Sequence, residues 1–384
     1  MKPRPWLVLA VCSLTLLAGG CCRWRTRARP RPVGGATATV TAEEREMAAL
    51  AFLAYTGELL TGSDDDVERK LAPCMVRELA EQPLTRERWQ LAWGPAVYRF
   101  ELGKFDDNMM FVVRDSGEPS HLAVVVRGTN APAVLDWLLE DFEVGELEPW
   151  PYGTPPAGLK PKISRGTHLG LEVLQGMTPA SGVPGDGLTL AQFLKQEAGT
   201  YPELAVDVTG HSLGGALAPT LALWLADTQA EWDPSGGARL EVFALAGPTA
   251  GDRDFARYSD QRLGAATHRL VNPFDVVPKA WAEATLARLP SLYLPLAPAT
   301  DFERNAVCFA LDVVHGKNYR QIRPDTPPLA GALEPSLTTF AGQAGWQHTC
   351  GYRCATGLVP ALKPVSRDCR DFHPPDPCPV CPQP

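Results

Sequence analysis

The chain has 384 residues, of which 45% are hydrophobic and 21% charged. This is ample for one large buried core. The formal net charge of −8 is modest, and the main domain shows no basic stripe interleaved with aromatic residues, so the sequence gives no reason to expect nucleic acid as a partner.

The N-terminus has the pattern of an export signal. Lys2 and Arg4 precede the apolar stretch Trp6–Leu17, which is too short to span a bilayer. The small residues that end at Cys21 resemble a bacterial lipobox, in which that cysteine is acylated. We therefore expect residues 1–20 to be a lipoprotein signal peptide and the protein to be anchored by lipid to a membrane of the cell envelope, on the outer membrane or facing the periplasm. Plain secretion and an uncleaved anchor are the alternatives.

Residues 21–40 have the composition of a tether, because arginine alternates with other residues and is followed by proline and glycine. The arginine charges either lie against anionic headgroups or are simply solvated. We expect the main domain to cover residues 41–325 and residues 326–384 to form an irregular tail rich in proline and cysteine.

Five of the 10 cysteines lie in this tail. They are Cys350, Cys354, Cys369, Cys378 and Cys381. Export predicts that they form disulfides. A zinc site that uses His348 or His373 is the alternative. Pairing of Cys22, Cys74 and Cys308 stays open.

The elements of the main domain alternate between helix and strand. The pattern predicts a helix over Ala42–Leu60 capped by Thr41, strands over Val97–Leu102, Met109–Arg114 and Leu122–Arg127, and a helix over Leu188–Ala198. Residues 145–163 are rich in proline and glycine and form either a lid or a surface insertion. The alternation predicts an α/β fold with a mainly parallel central sheet flanked by helices and a site at the carboxyl ends of the strands.

Residues Gly210–Gly215 read Gly-His-Ser-Leu-Gly-Gly and follow the apolar run that ends at Thr209. The pattern predicts a sharp strand-to-helix turn that presents the Ser212 hydroxyl as a nucleophile. The small-residue and leucine run that follows is typical of a buried helix, although Pro219 argues against a regular one.

A serine nucleophile needs a base and a carboxylate that orients the base. Asp275 follows a β-prone run that breaks at Pro273, so we expect it to be the acid. Asp252 and Asp254 are rivals, since they also follow an apolar strand.

The base must follow the acid along the chain, which leaves His315, His348 and His373. We favour His315 because an apolar run precedes it and glycine follows it, with His348 as the next candidate. His211 is excluded as the base, since adjacent side chains on a tight turn point apart, and we expect it to pack beneath the turn.

An oxyanion hole needs two donors aimed at the negative oxygen of the tetrahedral intermediate. The backbone N–H of Leu213 comes with the nucleophile turn. Thr129, which follows the Leu122–Arg127 strand, is expected to supply the second donor from its N–H and its hydroxyl.

Several spaced motifs together resemble the fungal-type (class 3) lipase family of α/β-hydrolases over roughly residues 45–320. The motifs are Val126–Thr129 with Asp136, Trp137 and Asp141; His168–Gly170; Gly210–Gly215; Leu245–Pro248 with Gly251, Asp252 and Phe255; Val271–Pro278; and His315 with Tyr319. Asp136 stands where the family usually has asparagine. The resemblance implies an α/β-hydrolase fold, a triad of Ser212, Asp275 and His315, and an oxyanion hole of Thr129 and Leu213.

The resemblance also implies a serine carboxylic ester hydrolase, foremost a lipase that acts on acylglycerol esters through an acyl-enzyme intermediate. No metal or organic cofactor is implied, since the triad supplies all the proton transfers. Phospholipase A1 or a small-ester esterase would use the same residues. An alternative of another class is a non-catalytic cell-surface lipoprotein that uses the fold for binding. The sequence identifies no protein partner.

Overall fold

The computed structural model describes residues 37–57, 59–99, 108–128 and 143–359, together with Cys378 and Cys381. The expected signal peptide, the lipidation residue Cys21 and most of the tether lie outside the described residues. Thr129 and His373 also lie outside them. The expectations for these residues therefore stay predictions.

The core of the molecule is a six-stranded mixed sheet with the order β1-β2-β3-β6-β7-β8. The strands are β1 (Trp89–Tyr98), β2 (Asn108–Asp115), β3 (His121–Val126), β4 (Leu147–Pro149), β5 (Lys162–Ser164), β6 (Ala205–His211), β7 (Arg239–Leu245) and β8 (Thr267–Leu270). Strands β1, β2 and β3 pair antiparallel, whereas β3, β6, β7 and β8 pair parallel. Strands β4 and β5 form a separate antiparallel pair. The predicted α/β class, with its parallel region around the nucleophile strand, is confirmed.

Helices cover both faces of this sheet. They are α1 (Ala42–Leu53), α2 (Asp64–Glu81), α3 (Arg165–Gly176), α4 (Leu190–Thr200), α5 (Leu213–Asp227), α6 (Gln229–Trp232), α7 (Arg253–Leu263), α8 (Glu283–Leu286), α9 (Asp301–Val314), α10 (Phe340–His348) and α11 (Cys350–Ala355). In the described part of the chain, no helix combines the length and the apolar character needed to cross a membrane.

Strand β3 shows why the sheet is buried on both faces. Its sequence His-Leu-Ala-Val-Val-Val is fully buried and rich in the β-branched residues that favour strands. Because side chains alternate across a strand, Val124 packs in the cluster that contains Leu217 of α5, while Val125 packs in the cluster that contains Leu50 of α1. Strand β3 therefore lies between two apolar layers, as a central strand of an α/β fold must.

Helix α5 passes through Pro219 without a break and is buried around almost its whole circumference. The Thr220 hydroxyl donates to the Ala216 carbonyl at 2.8 Å, one turn earlier. The irregularity expected from Pro219 therefore does not interrupt this helix.

The loop expected to be either a lid or an insertion is packed onto the domain. Trp150 is 6% exposed, and its indole N–H donates to a carboxylate oxygen of Asp227 at 2.9 Å. The hydroxyl of Tyr258 donates to the other oxygen of Asp227 at 2.8 Å. These contacts favour the surface insertion over a lid for residues 145–163.

The stretch expected to be an irregular tail contains helices α10 and α11 and contributes to the core. Tyr352 and Leu358 are fully buried in the α1-side cluster. Two disulfides, Cys350–Cys378 and Cys354–Cys381, hold α11 to the end of the chain. The zinc alternative is therefore wrong for these four cysteines, and the expectation of disulfides is confirmed. Cys74 and Cys308 are disulfide-bonded as well.

Replacing Cys354 and Cys381 by serine together is expected to lower the free energy of unfolding by about 2–4 kcal/mol, because the loop closed by this disulfide gains freedom in the unfolded chain. The two residues are 27 positions apart. Urea unfolding of the variant and of wild type without reductant measures the difference. Reductant should bring wild type to the variant's midpoint or below it, and equal midpoints without reductant would contradict the prediction.

Candidate active site

Ser212 lies on the turn that joins β6 to α5, with backbone angles of φ 63° and ψ −126°. Such a conformation is costly for a residue other than glycine and persists only when its surroundings impose it. A methyl group at Gly210 would lie 2.4 Å from the Gly214 carbonyl oxygen, and one at Gly214 would lie 2.2 Å from the Val126 carbonyl oxygen. Both glycines are therefore required for the chain to pass this closely, which explains the Gly-x-Ser-x-Gly pattern.

A continuous chain of hydrogen bonds leads from the serine to a buried carboxylate. The Ser212 hydroxyl lies 2.8 Å from Nε2 of His348, and Nδ1 of the same ring lies 2.9 Å from Oδ2 of Asp275. Relative exposure falls from 6% for Ser212 to 4% for His348 and 0% for Asp275. This is the arrangement in which an imidazole can take a proton from a hydroxyl while a carboxylate fixes its tautomer.

The turn after β8 holds Asp275 in place. The second carboxylate oxygen of Asp275 accepts the backbone N–H of Val277 at 3.0 Å. The side-chain amide of Asn272, at the start of the turn, donates to the main-chain and side-chain oxygens of Gln347 at 2.8 Å each. Because Gln347 precedes His348 in α10, these bonds tie the acid's turn directly to the helix that carries the imidazole.

Lys279 supports the same turn from within. Its ammonium group donates to the carbonyl oxygens of Pro273 at 2.6 Å and Asp275 at 2.7 Å. Burial lowers the pKa of Lys279 to about 8, although the charge of Asp275 opposes this shift.

The expectation that His315 meets Ser212 is wrong. His315 caps the C-terminal end of α9, its side chain is 62% exposed, and Nδ1 lies 3.5 Å from the Glu283 carboxylate. The apolar run before it is the buried face of an amphipathic helix, which ends with the histidine in solvent. The structure instead brings the second candidate, His348, to Ser212 and Asp275.

One signal in the sequence could have pointed to α10. Thr339 caps the helix by accepting the N–H of Gly342, and Phe340 and Ala344 form its buried face. These features predict a helix that ends at His348. They do not reveal what α10 packs against, because its Gln347 contacts Asn272, which lies 75 positions earlier in the chain.

The rival acids have structural roles. Asp252 caps α7 by accepting the N–H of Phe255 at 2.8 Å, and it also accepts the N–H of Lys162. Asp254 accepts the N–H of Lys160. Asp252 therefore joins the start of α7 to β5, and Asp254 joins it to the residues just before that strand.

The chain just after β3 passes beside Ser212, as expected of the strand before an oxyanion hole. A methyl group at Gly128 would lie 2.8 Å from Cβ of Ser212 and 2.6 Å from the Tyr55 hydroxyl. Leu213 is the first residue of α5, where backbone N–H groups have no acceptor within the helix. The second expected donor, Thr129, lies outside the described residues.

The chain is similar to a protein family, to solved structures and to a curated protein. Residues 123–284 match the model of the family described as lipase (class 3). The crystal structure of M37 lipase matches with a TM-score of 0.79 and 36% identity, over 83% of this chain and 94% of that one. Lipase II from Rhizopus niveus matches with a TM-score of 0.45 and 21% identity, over 65% of this chain and 78% of that one.

Similarity to a curated relative is local. The chloroplastic phospholipase A1-Igamma2 of Arabidopsis thaliana is 39% identical over 96 residues. These residues make up 24% of this chain and 18% of the relative. The chain therefore spans less than a fifth of the length of that protein.

Lys279→Met is expected to destabilise the protein by a margin that grows as pH rises from 8 to 10.5. Between these pH values Lys279 stays protonated in the unfolded chain but is deprotonated in the folded protein. The free energy of unfolding of wild type therefore rises with pH. Urea unfolding at several pH values measures the difference between variant and wild type. Lys195→Met, at an exposed site of α4, is the matched control, and a margin that shrinks with pH would contradict the prediction.

Proposed function

The chain belongs to the class 3 lipase family of ester-hydrolysing enzymes, and from this premise we propose that it is a serine carboxylic ester hydrolase that acts on acylglycerol esters. The observation that carries the proposal is the buried chain of hydrogen bonds from Ser212 through His348 to Asp275. We assign these residues as nucleophile, base and orienting acid.

In the proposed reaction, Oγ of Ser212 attacks the ester carbonyl carbon while Nε2 of His348 takes the hydroxyl proton. Asp275 accepts the Nδ1–H of the ring throughout, so that the unprotonated nitrogen of the neutral imidazole faces the serine. The tetrahedral intermediate then expels the alcohol, which receives the proton from Nε2. Water attacks the acyl-enzyme with the same base, and the acid is released as Ser212 regains its proton.

The negative oxygen of the tetrahedral intermediate needs donors that already point at it. We assign one donor to the N–H of Leu213, because this residue follows the nucleophile and begins α5. We assign the other to Thr129, because it follows β3 directly after Gly128, where an added methyl group would lie 2.8 Å from Cβ of Ser212.

An apolar acyl chain is supported by the surroundings of the nucleophile. Leu213 packs against an apolar cluster that includes Val276 and Val277 of the acid's turn and Val144. An apolar cluster beside the nucleophile turn favours a substrate whose acid portion is a hydrocarbon chain. The local similarity to a phospholipase A1 makes that activity the second candidate.

The assignment of the base is tested by a matched pair of histidine variants. His348→Ala is expected to lower the rate of ester hydrolysis and of labelling by a fluorophosphonate probe at least about a thousandfold. His315→Ala should keep both rates within about twofold of wild type, because its side chain lies in solvent beside Glu283.

Ser212→Ala should abolish labelling, which controls for reaction at other sites. Loss of activity in His315→Ala with activity kept in His348→Ala would contradict the assignment. A folded wild type that takes up no probe would support the non-catalytic binding protein instead.

Substrate preference is tested by a panel of p-nitrophenyl esters, triolein emulsion and phospholipid vesicles, with Ser212→Ala as the blank. We expect triolein to be hydrolysed at the highest rate, because the apolar cluster beside Leu213 suits a long acyl chain. Faster release of fatty acid from phospholipid would establish the phospholipase A1 alternative. Hydrolysis confined to short p-nitrophenyl esters would point to a small-ester esterase.

A further inference from the structure

The main chain at His348 lies at the junction of two helices. His348 is the last residue of α10, and α11 begins at Cys350. The final carbonyl groups of a helix have no partner within it, so a residue at such a junction depends on other groups to fix it. The two bonds of its imidazole ring hold only the far end of the side chain.

His211, which precedes the nucleophile, supplies a partner for the carbonyl group of His348. Its Nε2 lies 2.7 Å from the carbonyl oxygen of His348. The two imidazole rings also pack together, with centroids 4.7 Å apart. His211 therefore contacts both the main chain and the ring of His348, while its own backbone is continuous with Ser212. The expectation that His211 packs beneath the turn is confirmed.

The partners of His211 decide which of its nitrogens carries the proton. The Tyr55 hydroxyl lies 2.9 Å from Nδ1 of His211. A carbonyl oxygen can only accept, so Nε2 of His211 must carry the proton that is donated to His348. In the neutral ring Nδ1 is then an acceptor, and the hydroxyl of Tyr55 donates to it. The three groups form one directed chain of hydrogen bonds.

The surroundings of His211 keep its ring neutral. Burial, together with the nearby His348, holds the pKa of His211 well below its ordinary value. The ring of Phe52 packs against it at 4.7 Å, and the ring of Tyr352 meets it edge-on at 5.8 Å. A neutral ring at this place lets His348 take a proton without a second positive charge beside it.

We propose that His211 and Tyr55 are positioning residues for the base: Tyr55 bonds to Nδ1 of His211 and supports the tautomer that donates to His348, and His211 holds the main chain and ring of His348 at the distance from Ser212 that proton transfer requires. The proposal rests on the triad assigned above. Neither residue transfers a proton in the reaction. Because both act by positioning the base, their loss should lower kcat and leave KM nearly unchanged.

The test compares three variants and one control variant with wild type. His211→Leu removes both hydrogen bonds and should lower kcat about tenfold, with KM within about twofold. His211→Gln restores a donor for the His348 carbonyl and should recover most of the loss. Tyr55→Phe removes one oxygen atom and should lower kcat about threefold. Phe52→Leu, which alters packing on His211 but no hydrogen bond, is the matched control and should stay within about twofold of wild type.

Three further measurements separate this proposal from the proposed function. The rate of fluorophosphonate labelling reports activation of Ser212 without substrate binding, and thermal unfolding confirms that each variant is folded. The proton NMR resonance of His348 Nδ1–H reports the position of the ring even if no ester substrate is found. We expect this resonance to broaden or shift in His211→Leu and to return in His211→Gln.

A folded His211→Leu with wild-type kcat, labelling rate and His348 resonance would overturn the positioning proposal and leave the triad intact. A rise in KM alone in His211→Leu and Tyr55→Phe would place these residues in substrate binding and overturn it as well. If wild type takes up no probe, the proposed function fails, and the His348 resonance in the same variants still decides whether His211 positions the ring.

Discussion

The two hydrogen bonds of His348 join parts of the chain that are far apart in sequence, and the site depends on this junction. Ser212 lies 136 positions before His348, and Asp275 lies 73 positions before it. A buried carboxylate is costly unless hydrogen bonds compensate for the water it has lost. His348 and the Val277 N–H supply those bonds. The helix that carries His348 therefore also offsets the cost of burying the Asp275 carboxylate.

The position of α10 follows from contacts with the rest of the domain. On one side, Asn272 bonds to Gln347 and ties the helix to the acid's turn. On the other side, the Cys350–Cys378 and Cys354–Cys381 disulfides fasten the helix that follows. The imidazole thus sits between two attachments, one made of hydrogen bonds and one covalent.

Local sequence was enough to predict the parts of the site that lie on single strand-to-helix units. The nucleophile turn needs glycines where the backbone of Gly214 passes close to Val126, and that need is visible in the motif itself. Asp275 follows a short strand in the same way. The buried strand β3 was equally evident, because all of its six residues suit a two-sided core.

The sequence ranks His315 above His348 as the base because nothing local shows which of the two meets Ser212. Both His315 and His348 end helices with one buried face, and the patterns before them are alike. What distinguishes them is the partner met in space, Glu283 in one case and Asp275 in the other. The proline and cysteine content of residues 326–384 predicts turns and disulfides. It does not predict the two short helices α10 and α11, of which α10 is a capped helix of nine residues.

Lys279 shows how the site keeps its negative charge available. Its ammonium group donates to the main-chain carbonyl oxygens of Pro273 and Asp275. The carboxylate oxygens of Asp275 instead bond to Val277 and His348. A lysine paired directly with the carboxylate would weaken its attraction for an imidazolium in a site where charges interact strongly. By bonding to the main chain instead, Lys279 fixes the turn while Asp275 remains directed at His348. The cation therefore stabilises the geometry of the acid through main-chain oxygens and leaves the carboxylate oxygens to Val277 and His348.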